Sequence, residues 1–112
     1  MSEEKVNMEA LAQELKRGTQ VLGVLSQLKT PLYGYSLVEK LSDKGMEIDK
    51  NTLYPLLRRL EKQALLESEW NVEESRPRRY YVISEQGKAV LAELAKAWDK
   101  LDETVRRLLN EK

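Results

Sequence analysis

The chain of 112 residues contains no cysteine and no histidine. Those two absences remove disulfides, thiol chemistry, zinc fingers and the commonest general base together. Its five glycines (Gly18, Gly23, Gly34, Gly45, Gly87) stand singly, so no glycine-rich loop is available to cradle a phosphate. Net charge is missing as well: nineteen Lys and Arg balance nineteen Asp and Glu. There is no global attraction to nucleic acid, and a DNA-binding reading has to rest on where the charges sit. No apolar run approaches the roughly 20 residues that cross a bilayer. The charged start, Met1-Ser2-Glu3-Glu4-Lys5, is followed by no apolar signal core. These observations predict a cytoplasmic protein that engages no membrane, carries no metal or cofactor and is not an enzyme. A carboxylate-based enzyme would need acids gathered in a pocket, and the sequence gathers none.

What is present is a change of period along a chain of single-domain size. Residues 1 to 8 have no pattern and read as a loose tail. From Met8 to about Lys29, Leu11, Leu15, Val21, Leu22, Val24, Leu25 and Leu28 recur at helical spacings, predicting one amphipathic helix with its second half the more buried. Thr30-Pro31 ends it. A second helix over 33–44 carries Tyr33, Leu37, Val38 and Leu41 on one stripe, and Gly34 lets it start tightly against a neighbour. A third begins near Asp49 or Asn51, either of which can cap it, and runs to about Gln63 with Leu53, Leu56, Leu57, Leu60 and Ala64 as its buried face. Alternation over Leu66 to Trp70, then the β-branched and aromatic run Arg79-Tyr80-Tyr81-Val82-Ile83, predicts a β-hairpin with a projecting loop from about Val72 to Arg78. Ser84 caps a last helix that runs nearly to Lys112.

Three helices followed by a hairpin is the order of a winged helix-turn-helix. The predicted fold is therefore mainly α with a small β-hairpin: a winged helix-turn-helix over 1–84 and a C-terminal dimerisation helix over 85–112. Opposite its leucine face the third helix shows Lys50, Asn51, Thr52, Tyr54, Arg58, Arg59 and Lys62. Arg58 and Arg59 could fork onto guanine edges or clamp phosphates, Asn51 could read adenine, and Thr52 and Tyr54 could donate to phosphate oxygens. An ordinary solvated helix face would carry the same residue types. The hairpin adds Arg76, Arg78 and Arg79, after a first strand and loop rich in Glu67, Glu69, Glu73 and Glu74. Those arginines either meet phosphates and release counterions or pair with the glutamates across the hairpin.

The last helix has the sharpest periodicity: Leu91, Leu94, Trp98, Leu101, Val105 and Leu108 are separated by three, four, three, four and three. Such a heptad seam packs against another helix, and the small core has no spare long helix to offer. A second copy is the natural partner, giving a two-fold homodimer with two reading heads for an inverted-repeat operator on double-stranded DNA. The competing reading is a dimeric winged-helix protein-interaction module that does not bind DNA.

Leu53-Tyr54-Pro55-Leu56-Leu57-Arg58-Arg59-Leu60-Glu61 followed by Leu65-Leu66, with Leu32-Tyr33-Gly34-Tyr35 upstream and Arg78-Arg79-Tyr80-Tyr81 then Ser84-Glu85-Gln86-Gly87 downstream, resembles the PadR family of bacterial transcriptional regulators. The resemblance spans residues 11 to 110. It implies a winged-helix dimer that represses a promoter, and in many members releases it when a small molecule binds. It assigns Asn51, Thr52, Tyr54, Arg58 and Arg59 to DNA, with Arg76, Arg78 and Arg79 on the wing, while Tyr33 and Tyr35 either contact the backbone or pack. The family usually has glycine where Ala64 stands. The single C-terminal helix is similar to the compact subgroup that includes a lactococcal multidrug-binding repressor, where a tryptophan from each subunit sandwiches flat aromatic drugs. That resemblance places Trp98, Asp102, Gln20 and Val21 around a planar aromatic effector; the alternative is that Trp98 only fills the dimer core.

Overall fold

The computed structural model describes residues 6–73 and 75–111. The start of the expected tail, Met1 to Lys5, lies outside the described residues, as do Glu74 of the glutamate group and Lys112.

Where one N-terminal helix was expected there are two, α1 (Met8–Arg17) and α2 (Gln20–Ser26). The break has a local cause. The Thr19 amide and hydroxyl both donate to the Lys16 carbonyl, at 2.9 and 2.7 Å, which a continuous helix would have given to Gln20. The expected contrast in burial holds: α1 buries nothing, whereas Val24, Leu25 and Leu28 are fully buried.

A short strand, β1 (Leu32–Tyr33), follows and was not expected from the sequence, since two residues carry no period. It pairs antiparallel with β3 (Arg78–Ile83), Leu32 opposite Tyr81 and Tyr33 opposite Tyr80. On the other side β3 pairs with β2 (Leu66–Asn71), so the expected hairpin becomes a three-stranded sheet of order β1-β3-β2. The hairpin register sets Leu66 opposite Ile83 and Asn71 opposite Arg78, with the wing tip beyond that last pair.

Between β1 and the hairpin lie α3 (Gly34–Asp43) and α4 (Lys50–Lys62). Gly34 serves the role expected of it: a Cβ there would overlap the ring of Tyr54. Asp49 caps α4 by accepting from the Thr52 amide at 2.9 Å. Leu53, Leu56, Leu57 and Leu60 of α4 meet Leu37 and Leu41 of α3 and Val24, Leu25 and Leu28 in a single core. Burying one such leucine contributes about 2 kcal/mol.

The end of α4 is a Schellman turn. Leu65 N–H donates to the Leu60 carbonyl and Ala64 N–H to the Glu61 carbonyl, both at 2.9 Å. The turn requires a left-handed residue, and Ala64 supplies it at φ 63°, the only positive φ outside glycine among the described residues. This explains a glycine preference at that position in resembling sequences. Ala64→Gly is expected to raise stability by about 0.5–1 kcal/mol, left-handed strain relieved minus the extra freedom of the unfolded chain. A urea midpoint that fell instead would show that the strain is already relaxed.

The last helix, α5 (Glu85–Leu109), is capped by Ser84, whose Oγ accepts from the Gly87 amide at 2.9 Å. Its 25 residues extend about 37 Å at the usual rise. Val90, Leu91 and Leu94 pack on the core, and the body of the helix lies along α2. From Trp98 onward its large apolar side chains are exposed. Among the described residues no helix is long and apolar enough to cross a membrane.

Candidate nucleic-acid interface

Every residue assigned to the outer face of α4 is exposed: Lys50, Asn51, Thr52, Tyr54, Arg58, Arg59 and Lys62. Among the described residues Arg58, Arg59 and Lys62 form no ion pair, so their charges are available to a partner. Tyr54 is less free than the rest. Its ring lies against Gly34 at the start of α3, and it is 37% exposed.

The three wing arginines separate. Arg76 is exposed in the loop. Arg78 stacks over the Tyr33 ring, 4.4 Å from its centroid, and Tyr33 in turn meets Tyr80 edge-on at 5.5 Å and Tyr35 at 6.5 Å. The tyrosines thus pack on one another, with Tyr35 still outward.

Arg79, the third arginine of the expected phosphate-contact set, is engaged within the fold. Its Nη2 donates to Glu61 Oε1 at 2.8 Å, its Nε donates to Ser68 Oγ at 2.9 Å, and the Ser68 hydroxyl donates to Glu61 Oε2 at 2.5 Å. The pairing expected across the hairpin instead runs from the sheet to α4. In the strand register Arg79 shares a face with Ser68 and Tyr81, the side turned to the core, so its guanidinium reaches back to the helix. It bolts the wing to α4. Tyr81 sits under the same arginine, 5.5 Å from ring centroid to guanidinium carbon; burial pushes its phenol above the ordinary value, opposed in part by Arg79.

The outer side of the hairpin is acidic. Glu67, Glu69 and Glu73 line an open groove of about 800 Å³ with Trp70, Val72, Tyr80 and Val82. A phosphate backbone would be repelled there.

Around Trp98 there is a second cavity, of about 160 Å³, between α2 and α5. Val21 lines it, as expected, together with Leu94, Trp98 and Leu101. Gln20 does not. Asp102 is drawn away as well, accepting from Arg106 Nε at 3.1 Å along its own helix. Gly18, Thr19, Leu22 and Ala97 complete the lining and were missed, because the floor of the cavity is the α1–α2 break.

Of the heptad residues expected at a dimer interface, Leu91 and Leu94 are instead half-buried against the subunit's own core, and the seam is left exposed from Trp98 onward. Trp98 is 43% exposed, Leu101 55%, Val105 41% and Leu108 68%. Leu11 and Leu15 of α1 add to the exposed apolar surface. So many large apolar side chains on one small domain mark an interaction surface.

The sequence pattern of the transcriptional regulator PadR-like family matches residues 21–93, from α2 into α5. The chain belongs to the PadR-like family of transcriptional regulators. A PadR family regulator from Eggerthella lenta is 48% identical, with 94% of each chain covered and a TM-score of 0.90. A PadR-like regulator from Bacillus cereus is 29% identical over 88% of this chain and 99% of that one, with a TM-score of 0.76. A transcriptional regulator of Mycobacterium tuberculosis is 40% identical over 70 residues, 62% of this chain and 65% of its own length. PadR-like membership assigns the chain to transcriptional regulation and not to enzymes, and it fits the winged helix of α3, α4 and the hairpin.

Proposed function

We propose that this PadR-like chain binds double-stranded DNA as a two-fold homodimer and represses transcription from a promoter that contains an inverted-repeat operator. Residues 1–84 form the reading domain and 85–112 the dimerisation helix. In each subunit α4 enters the major groove, with Asn51, Thr52, Arg58 and Arg59 toward base edges and phosphates and Lys62 on the flanking backbone. The wing brings Arg76 and Arg78 to the next phosphates, while Arg79 holds the wing in place. The observation that carries this reading is the free basic face of α4, set opposite its leucine face and beside a wing whose acidic flank faces elsewhere.

The cavity under Trp98 favours a second element of the same proposal, release of DNA by a planar aromatic molecule. An indole at the rim, with its partner's across the two-fold axis, would stack on such a ring.

The test is a titration against a duplex selected by the chain from a random pool, at two salt concentrations, with a scrambled duplex as control. Binding is expected to be selective and to weaken steeply with salt. Arg58→Ala should weaken it by about tenfold or more, since one good base or phosphate contact contributes about 1–3 kcal/mol. Equal, salt-insensitive behaviour of both proteins on both duplexes would sink the DNA reading and leave the interaction module.

A further inference from the structure

Ser84 joins the two helices that matter most. It is the only buried polar or charged residue among those described, 8% exposed, and each of its polar groups is engaged. The Ser84 hydroxyl donates to the Ala64 carbonyl at 2.7 Å and accepts from the Gly87 amide at 2.9 Å. Its own amide donates to the Leu65 carbonyl at 3.1 Å. Ala64 and Leu65 are the turn that terminates α4, and Gly87 is in the first turn of α5. Gly87 lies against the same turn, because a Cβ on it would strike the Leu65 carbonyl oxygen and the Ile83 side chain. Three hydrogen bonds of Ser84 and the close approach of Gly87 to the Leu65 carbonyl therefore tie the end of one helix to the start of the other.

We propose that Ser84 is the positioning residue that fixes the angle between α4 and α5, and so sets the spacing of the two reading helices across the dimer. This inference rests on the DNA-reading dimer proposed above. The long helix acts as a lever. The exposed part of the α5 seam begins at Trp98, and an angular error at Ser84 would be carried along a helix of about 37 Å. Two heads must fall one DNA turn apart, about 34–36 Å, for both to dock. A joint held only by packing would let the angle drift. A hydroxyl that both donates to one helix end and accepts from the other removes that freedom without adding bulk. Loosening it should spare the contact of each head with its own half-site and penalise only their simultaneous engagement.

The experiment has two arms and uses the full chain. Because the sequence has no cysteine, labels at Thr52→Cys and Lys96→Cys report the α4-to-α5 distance within one subunit, by double electron–electron resonance in the absence of DNA, with unlabelled chain in excess. Ser84→Ala is expected to broaden that distance distribution, and Ser84→Thr, which keeps the hydroxyl, to restore it. In the second arm the unlabelled variants are titrated against the selected inverted repeat and a single half-site. Ser84→Ala should lose about fivefold on the inverted repeat, the worth of about one hydrogen bond, with no loss on the half-site. An unchanged distribution overturns the joint. Equal loss on both duplexes overturns the positioning role, since that marks damage to the reading helix itself. A wild-type chain that prefers no duplex would fail the DNA reading alone, and the distance arm would still decide the joint.

Discussion

An aspartate in place of Leu101 is expected to leave the winged domain folded, convert the dimer to monomer and lower affinity for the inverted repeat by about a hundredfold or more, a loss of at least about 2.7 kcal/mol. Leu101 is 55% exposed in the single chain, so the substitution costs the monomer little. In the paired state the carboxylate would face the apolar seam, and two-fold symmetry would bury two of them. Placing an unpaired charge in such a seam costs several kcal/mol per ion. Light scattering and helical circular dichroism separate assembly from folding: mass should halve while helicity persists. Affinity for an isolated half-site should be retained. Trp98→Ala is the matched control, with the seam shortened by one side chain but still apolar, and it should remain dimeric while losing any stacking ligand. A Leu101→Asp chain that remained dimeric would move the interface off α5.

Removing the carboxylate of Glu61 should be the most damaging change on the surface of the DNA-reading unit. Glu61→Ala strips the acceptors from both the Arg79 guanidinium and the Ser68 hydroxyl, leaving a half-buried charge without its partner. About 2 kcal/mol of stability should be lost, within the range for orphaned buried polar groups, and the urea midpoint should fall at unchanged m-value. Glu61 and Arg79 make no proposed contact with DNA, yet affinity should fall too, because the wing is anchored to α4 through them. A variant with normal stability would mean that solvent replaces the carboxylate at no cost, and the anchoring role would fail. Arg79→Lys should rescue little, since an ammonium cannot reach Glu61 and Ser68 together from a planar fork.

The elements that announced themselves in the sequence are those whose stop and start chemistry is local. Ser84 caps α5 as expected, Asp49 is the one of the two candidates that caps α4, and the leucine stripe of α4 faces the core residue by residue. The basic face of α4 was legible for the same reason: helical period alone places it. What could not be read depends on partners far along the chain. β1 exists only because β3 offers it a ladder. The role of Arg79 needs Glu61, 18 positions earlier and on another element. The α1–α2 break turns on one hydroxyl competing for one carbonyl, and the lining of the Trp98 cavity inherits that break. Ala64 sits between these cases. The pattern of related sequences flagged the position, and the left-handed backbone gives the reason.

The exposed stripe along α5 also has a thermodynamic meaning. In the proposed homodimer, pairing adds to the stability of each subunit by an amount that depends on its own concentration. Each tenfold rise in chain concentration favours the folded pair by about 1.4 kcal/mol, and dilution acts as a mild denaturant. Scarce copies would be the first exposed to proteases. On that proposal the concentration dependence resides in Trp98, Leu101, Val105 and Leu108 and not in any contact with DNA.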